Sequence, residues 1–109
     1  MRYVDLLVNP IWRKQMEAIT RDDVVMHSDK QVSCSVDQGV VVMHVNAGEF
    51  YDLNHSASDV WRLLDSPTKV STLCDRLREK YNVDSERCEK DVLNLLNRLQ
   101  EKGVIEAQK

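Results

Sequence analysis

The sequence predicts an α+β, winged-helix-like fold, in which a three-stranded antiparallel sheet is followed by three helices. Residues 1–54 hold ten Val and three Leu, whereas residues 55–109 hold five Val and eight Leu. Val favours strands and Leu favours helices, so the first half should be rich in strands and the second in helices. The first half has five basic and eight acidic residues and the second has ten of each, a balance typical of helix surfaces.

The composition bounds the class of protein before any motif is considered. A chain of 109 residues, 42% hydrophobic and 30% charged, is an ordinary globular domain with one modest core. No apolar run approaches the roughly 18 residues that span a bilayer. The short N-terminal apolar stretch is interrupted by Asp5 and does not resemble a secretion signal, so we expect a cytoplasmic protein. Cys34, Cys74 and Cys88 are odd in number and widely spaced, which predicts reduced thiols.

Three strands are predicted between residues 32 and 53. Val32–Val36 alternates apolar and polar residues, as a half-buried strand does. A turn separates it from Val40–Val45, and Asn46–Gly48 forms a hairpin loop before Glu49–Leu53. These three segments form the predicted antiparallel sheet.

A register follows from the predicted hairpin loop. If Val45 faces Glu49, then Met43 faces Tyr51 and Val41 faces Leu53, and these pairs line the core face. The other face then carries apolar side chains that we expect another element to cover. That face consists of Val40, Val42, His44, Phe50 and Asp52.

Apolar residues at helical spacing identify the helices. The first begins between Asn54 and Ser56, where Ser56 and Asp59 match a capping box. The second runs over residues 70–81. The break between the first and second helices falls at Ser66–Thr68, where Pro67 ends the first helix.

The third helix is the longest. Asp84 or Ser85 caps it, and it ends at Gly103. Residues 1–28 are interpreted as an N-terminal extension, in which residues 10–19 form a short amphipathic helix, and residues 29–107 as the domain. The apolar segment over residues 3–8 could pair as a strand with the sheet edge of its own or a second chain.

The order and spacing of several motifs resemble one known family. The motifs are Val-Asp-Gln-Gly-Val-Val-Val-Met (36–43), Gly-Glu-Phe-Tyr-Asp-Leu-Asn (48–54), Ala-Ser-Asp-Val-Trp-Arg-Leu-Leu (57–64), Lys-Tyr-Asn-Val-Asp (80–84), Asp-Val-Leu-Asn-Leu-Leu (91–96) and Leu-Gln-Glu-Lys-Gly-Val-Ile (99–105). This pattern, over some two thirds of the chain, is similar to the PqqD-like family. Its members are recognition elements for the precursors of ribosomally synthesised and post-translationally modified peptides (RiPPs).

The resemblance implies a non-catalytic protein that binds the leader segment of a precursor peptide and presents it to a modifying enzyme. It implies that the leader adds as a strand beside Glu49–Leu53 and lies against the third helix, a mode that needs a free strand edge. The residues show no motif for a cofactor or a metal, so we expect no cofactor and no metal. The resemblance implies that the enzyme is a radical-SAM enzyme, a leader protease or a cyclase. The candidate peptide-binding residues are Glu49, Phe50, Tyr51, Asp52, Leu53, Asp91, Leu93, Asn94, Leu95 and Arg98.

Other interpretations of the same residues remain open. Leu93 lies at the border of the helix stripe, so it is either a core-edge residue or part of the groove floor. Glu49–Leu53 could serve instead as a dimerisation edge of an assembly domain, and the protein could be a monomer or a homodimer. A winged helix can bind DNA, but basic and acidic residues balance on the third helix, whereas phosphate binding favours a basic excess. No close Cys or His pair predicts zinc.

Overall fold

The computed structural model describes residues 18–108, which form two small antiparallel sheets and three helices. The elements in chain order are β1 (Val24–His27), β2 (Gln31–Val36), β3 (Gly39–His44), β4 (Glu49–Leu53), α1 (His55–Leu63), β5 (Thr68–Lys69), α2 (Val70–Lys80), α3 (Ser85–Glu101) and β6 (Ile105–Gln108). The predicted sheet, its order before the helices and the α+β class are confirmed.

The main sheet has the strand order β2-β3-β4, but its register differs from the prediction by one residue. His44 pairs with Glu49 and Val42 with Tyr51. The loop is one residue longer than expected, because the Gly48 N–H donates to the His44 carbonyl and the turn therefore begins at Val45. A slip of one residue exchanges the two faces of a strand.

The faces of β3 are consequently the reverse of those predicted. Val40 and Val42 are buried in the core, whereas Val41 and Met43 lie on the outer face. The faces of β4 agree with the prediction, since Leu53 is buried and Phe50 is exposed. In residues 18–108 no element covers the outer face, where Phe50, Val32 and Val36 remain largely exposed.

A second sheet, of order β5-β1-β6, was not predicted. β1 pairs antiparallel with β6 near the C-terminus and with the two-residue β5. Val25, at the centre of β1, is fully buried. Each strand is short and pairs with a segment distant in the sequence, so the local residue pattern does not indicate this second sheet.

The helix boundaries agree with the prediction, but one cap does not. Asn54 caps α1 with a side chain that accepts the Ala57 N–H, so the predicted Ser56–Asp59 capping box is wrong. Asp84 caps α3 by accepting the Arg87 N–H. α3 ends at Glu101, and Gly103, two residues later, takes a φ of +78° that glycine adopts without steric cost.

One hydrophobic core joins both sheets and all three helices. Its largest fully buried side chains are Leu64, Leu73, Leu96, Ile105, Val25, Val42, Val70 and Val104. Ile19 is also buried, and its N–H donates to Asn97 Oδ1 on α3 at 2.8 Å. Ile19 and β1 therefore belong to the folded unit, although the sequence placed them in an N-terminal extension.

Two predictions concern residues that the structure describes only in part or not at all. The short helix over 10–19 lies outside the described residues except at positions 18 and 19, and the strand over 3–8 lies wholly outside them. Among the helices of residues 18–108, none combines the length and apolar content needed to span a membrane.

Candidate functional site

β4 is an edge strand whose hydrogen-bonding groups can be assigned to one side or the other. Ser58 Oγ accepts the Val40 N–H at 3.0 Å and donates to the Leu53 carbonyl at 3.1 Å. The Leu53 carbonyl thus faces β3. Because backbone groups alternate along a strand, those of Phe50 and Asp52 face the open side. In residues 18–108 β4 pairs with β3 alone, so this side can accept another strand.

α3 lies near β4 and runs in the opposite direction, since Lys102 at its end is beside Tyr51 and its Asp91–Leu95 segment is near Asn54. Its buried stripe, Cys88, Val92, Leu96 and Leu99, packs into the core. The neighbouring flank carries Asp91, Leu95, Arg98 and Lys102, which recur at helical spacing.

Two contacts place this flank beside β4. Lys102 Nζ lies 5.7 Å from the centre of the Tyr51 ring, near the middle of the strand. Leu95 and Asp91 share a cavity with Asn54, directly after the strand. β4 and α3 therefore form the two walls of an open groove.

A cavity of about 330 Å³ opens at the end of the groove where β4 leads into α1. Its floor is apolar, and its rim carries Arg87 and Asp91, whose Nε and Oδ2 atoms lie 3.7 Å apart. The lining residues are Asn54, Ser56, Ala57, Val60, Leu77, Tyr81, Val83, Arg87, Cys88, Asp91, Val92 and Leu95. An apolar cavity with a few polar groups at its mouth suits an apolar side chain.

A buried carboxylate holds the far wall of this cavity. The Tyr81 hydroxyl donates to Asp59 on α1, and Lys80 Nζ lies 3.0 Å from Asp59 Oδ2. Burial by itself raises the pKa of Asp59, but the hydrogen bonds from Tyr81 and Lys80 outweigh it and lower that pKa below 3.8. The hydrogen bond to Asp59 raises the pKa of Tyr81. The charged carboxylate therefore ties the end of α2 to α1.

The structure brings most of the predicted site residues to this groove. The five residues of β4 form one wall, and Asp91 and Leu95 line the cavity. Arg98 is exposed on the same flank of α3, and Asn94 is exposed farther toward solvent.

Leu93 is the exception. It lies on the opposite flank of α3 and lines a separate hollow together with Arg21, Cys74 and Glu89. The structure therefore supports the core-edge interpretation of Leu93 and separates it from the other candidates.

Sequence reasoning missed the cavity residues that come from outside β4 and α3. Ala57, Val60 and Leu77 lie on helix stripes, where they are indistinguishable from ordinary core residues. Tyr81 and Val83 gave a weak indication of a cavity. Both are apolar residues in the turn between two helices, and neither belongs to the apolar stripe of a helix. Val83 is 43% exposed.

The three cysteines do not form a site. Cys34 is exposed on β2, whereas Cys74 and Cys88 are buried at the contact of α2 and α3. Burial raises the pKa of the Cys74 thiol to about 11 and also raises the pKa of Cys88, so neither is an activated nucleophile. Residues 18–108 contain no group of three His, Cys, Asp or Glu side chains arranged to hold a metal ion.

Solved structures share this arrangement of sheet and helices. TbiB1 in complex with the TbiA(beta) leader peptide is 30% identical, with a TM-score of 0.71 over 74% of this chain and 94% of that one. Lasso peptide synthetase B1 complexed with the leader peptide is 22% identical, with a TM-score of 0.68 over 78% of this chain and 98% of that one.

A third structure is the solution NMR structure of the PqqD truncation of Methylobacterium extorquens PqqCD, described as a stand-alone RiPP recognition element. It is 24% identical, with a TM-score of 0.71 over 84% of this chain and 98% of that one. No curated protein matches the chain. The family model of PqqD, coenzyme PQQ synthesis protein D, matches residues 39–105, which is more than half of the sequence. On this match, and on the likeness to TbiB1 over the same sheet and helices, the chain belongs to the PqqD family.

Proposed function

We propose that this protein binds the leader segment of a ribosomally made precursor peptide as an additional antiparallel strand on β4. The observation that carries the proposal is the groove itself, in which an edge strand with outward backbone groups faces α3. Strand addition gives affinity through main-chain hydrogen bonds and specificity through pockets for alternate side chains. The 30% identical TbiB1, solved with a leader peptide, supports this function.

The roles of the groove residues follow from their positions. Phe50 and Asp52 exchange backbone hydrogen bonds with the leader, and Glu49, Tyr51 and Leu53 hold the strand on β3. Leader side chains alternate between the groove and the outer face.

The α3 flank reads the side chains that point into the groove. One apolar leader side chain enters the cavity beside Leu95. Asp91, Asn94 and Arg98 contact polar groups of the leader along the rim.

In this function the protein acts without catalysis of its own and presents the leader to an enzyme in the cytoplasm. The partner is a radical-SAM enzyme, a leader protease or a cyclase. The described residues offer an apolar groove and an edge strand, and the Cys88 thiol in the cavity lining is buried with a raised pKa. Both features suit recognition rather than bond-making chemistry.

The proposal is tested by an amide chemical-shift titration of the labelled protein with the synthetic leader encoded by the neighbouring precursor gene. We expect perturbations along Glu49–Leu53 and on the Asp91–Lys102 flank of α3. Leu95→Ala removes side-chain contact in the cavity and should weaken binding about five- to tenfold, the equivalent of about 1 kcal/mol. Leu93→Ala is the matched control on the opposite flank and should leave leader affinity unchanged.

Two results would contradict the proposal. One is a leader that binds with perturbations confined to surfaces other than β4 and α3. The other is the absence of perturbation at high leader excess, both in the full chain and in a chain lacking residues 1–9. Self-association that disappears when β4 is altered, with no leader binding, would instead favour the assembly function of this edge.

A further inference from the structure

The opposite edge of the same sheet, β2, takes no part in the proposed leader binding, and within residues 18–108 it lacks the usual protection of an edge strand. Every residue of the segment Val32–Val36 is exposed. Native proteins normally guard such edges with charged residues, proline, bulges or a covering element. This segment contains no charge and no proline, it pairs with β3 without a bulge, and in residues 18–108 no strand lies on its other side.

The direction of the backbone groups of β2 can be assigned from one hydrogen bond. The Val45 N–H donates to the Lys30 carbonyl at 2.9 Å, so Lys30 faces β3. By alternation, Val32, Cys34 and Val36 also face β3. The N–H and C=O groups of Ser33 and Ser35 therefore face the open side of the strand.

The sequence of this strand is a palindrome, Val32-Ser33-Cys34-Ser35-Val36. We propose that two copies of this chain pair antiparallel through β2 about a two-fold axis at Cys34, forming one continuous sheet. Each residue then faces one of its own type: Cys34 faces Cys34, Ser33 faces Ser35 and Val32 faces Val36.

The backbone geometry permits this register. Only a pairing that sets outward-facing groups against outward-facing groups can form a ladder. In the proposed register Ser33 of one copy faces Ser35 of the other, and both residues face outward. They exchange backbone hydrogen bonds, and the two-fold axis repeats the pair. A two-fold contact of this kind is self-complementary and closed, so it produces a dimer and not a fibre.

The dimer leaves both leader grooves accessible. β2 and β4 are the two opposite edges of the sheet, so the β4 strands lie at the far ends of the paired sheet. Dimerisation through β2 therefore does not depend on leader binding, and either can be absent without the other. A dimer through β4 would compete with the leader, whereas a dimer through β2 coexists with the bound leader.

Register-specific cross-linking tests the proposal. Directly opposite, non-hydrogen-bonded residues have Cα atoms about 4.5 Å apart, within the roughly 4.4–6.8 Å range of disulfides. Cys34→Ser is combined with Val32→Cys in one protein and with Val36→Cys in a second, and the two are mixed under oxidised glutathione. The buried Cys74 and Cys88, with their raised pKa values, remain unreactive.

The mixture should form a disulfide-linked heterodimer, whereas each protein alone should form no disulfide-linked homodimer. Two copies of residue 32 would lie about 13 Å apart, because four residues separate positions 32 and 36 along a strand. Val32→Cys that cross-links to itself as readily as to Val36→Cys would overturn the register. It would indicate instead a dimer in which the outer sheet faces pack together.

Sedimentation equilibrium of the full chain gives the independent measurement. We expect a concentration-dependent dimer. Ser35→Pro removes an outward N–H while leaving the β2–β3 ladder intact, and it should raise the dimer Kd at least about tenfold. Ser35→Ala keeps the N–H and should preserve the dimer. A chain that stays monomeric at millimolar concentration, or a dimer that Ser35→Pro does not weaken, contradicts the proposal.

Discussion

β4 and β2 are the two edges of one sheet, and both pair with β3, yet their surroundings differ. β4 is faced by α3 across a groove that ends in an apolar cavity, and it carries two acidic residues. β2 has no charge between Val32 and Val36. The capacity of the backbone to accept a strand is the same at both edges. The neighbouring elements and side chains decide which partner each edge accepts.

This difference separates recognition from self-association. A groove with a side-chain pocket selects a peptide by its sequence, since alternate side chains must fit the wall. An exposed edge with a palindromic sequence is self-complementary, because an antiparallel copy places each residue opposite one of the same type. The same sheet can thus serve both purposes without competition.

The largest expected effect on leader binding comes from a proline substitution, and its result depends on which of the two edge strands carries the proline. Asp52→Pro removes an N–H on the open side of β4, leaves a leader carbonyl without its donor, and should weaken leader binding about ten- to one-hundredfold. Ser35→Pro should leave leader affinity unchanged. Isothermal titration calorimetry with the synthetic leader measures both, and Asp52→Ala controls for the lost charge.

The two edges do not have separate roles if the two prolines have the same effect on leader binding. Equal loss of leader binding together with a large fall in the Tm of both variants would mean that substitution at either edge disturbs the whole sheet. Unchanged Tm with equal loss of binding would mean that the leader contacts both edges.

A smaller effect is expected on stability from Asp59, which ties α2 to α1 behind the cavity. Asp59→Asn removes the charged acceptor of Tyr81 and Lys80 and should destabilise the fold by about 2 kcal/mol at pH 7. Because the pKa of Asp59 is lower in the folded chain than 3.8, its contribution is fully present above that pH. The contribution is lost as the pH falls through the folded-state pKa.

Urea unfolding at several pH values measures this linkage. Wild-type stability should fall with acidification below about pH 4, and part of that fall should be absent in Asp59→Asn. Lys80→Ala, which removes the more exposed partner, should have a smaller effect. If the stability difference between wild type and Asp59→Asn is the same at pH 7 and at pH 3, the Asp59 carboxylate is not the stabilising group.

The smallest effect is expected at Gly103, where the end of α3 contacts β3. A Cβ at this position would lie 3.0 Å from His44 Nε2, and φ is +78°. Gly103→Ala should therefore cost about 1 kcal/mol in the free energy of unfolding. A shift of the chain at Gly103 away from His44 would also move the neighbouring Lys102, which lies beside Tyr51.

Leader affinity provides a second measurement on this variant. Gly103→Ala should weaken leader binding slightly and leave dimerisation through β2 unaffected. A variant as stable as wild type would show that His44 moves aside at little cost and that the turn accepts alanine.

Most of the candidate residues chosen from the sequence lie at the groove, and the structural expectations that differ from the fold concern two kinds of position. Leu93 and Leu95 both border the buried stripe of α3, so periodicity alone cannot assign which one faces the groove. The order of neighbouring elements decides it, since β4 lies along the Leu95 flank and α2 along the Leu93 flank. The faces of β3 were wrong because one residue more in the hairpin loop reverses every side chain of the strand.

Residue type and local spacing determined the strands β2 to β4, the three helices and their order, the limits of α3 near Asp84 and Gly103, and the edge strand Glu49–Leu53. These features depend on interactions between residues close in the chain, which a sequence displays directly. Tertiary structure decided the register of β3, the pairing of β1 with β6, and the convergence of Ala57, Tyr81 and Leu95 on one cavity. Those features depend on contacts between distant residues, whose geometry is set only when the core packs.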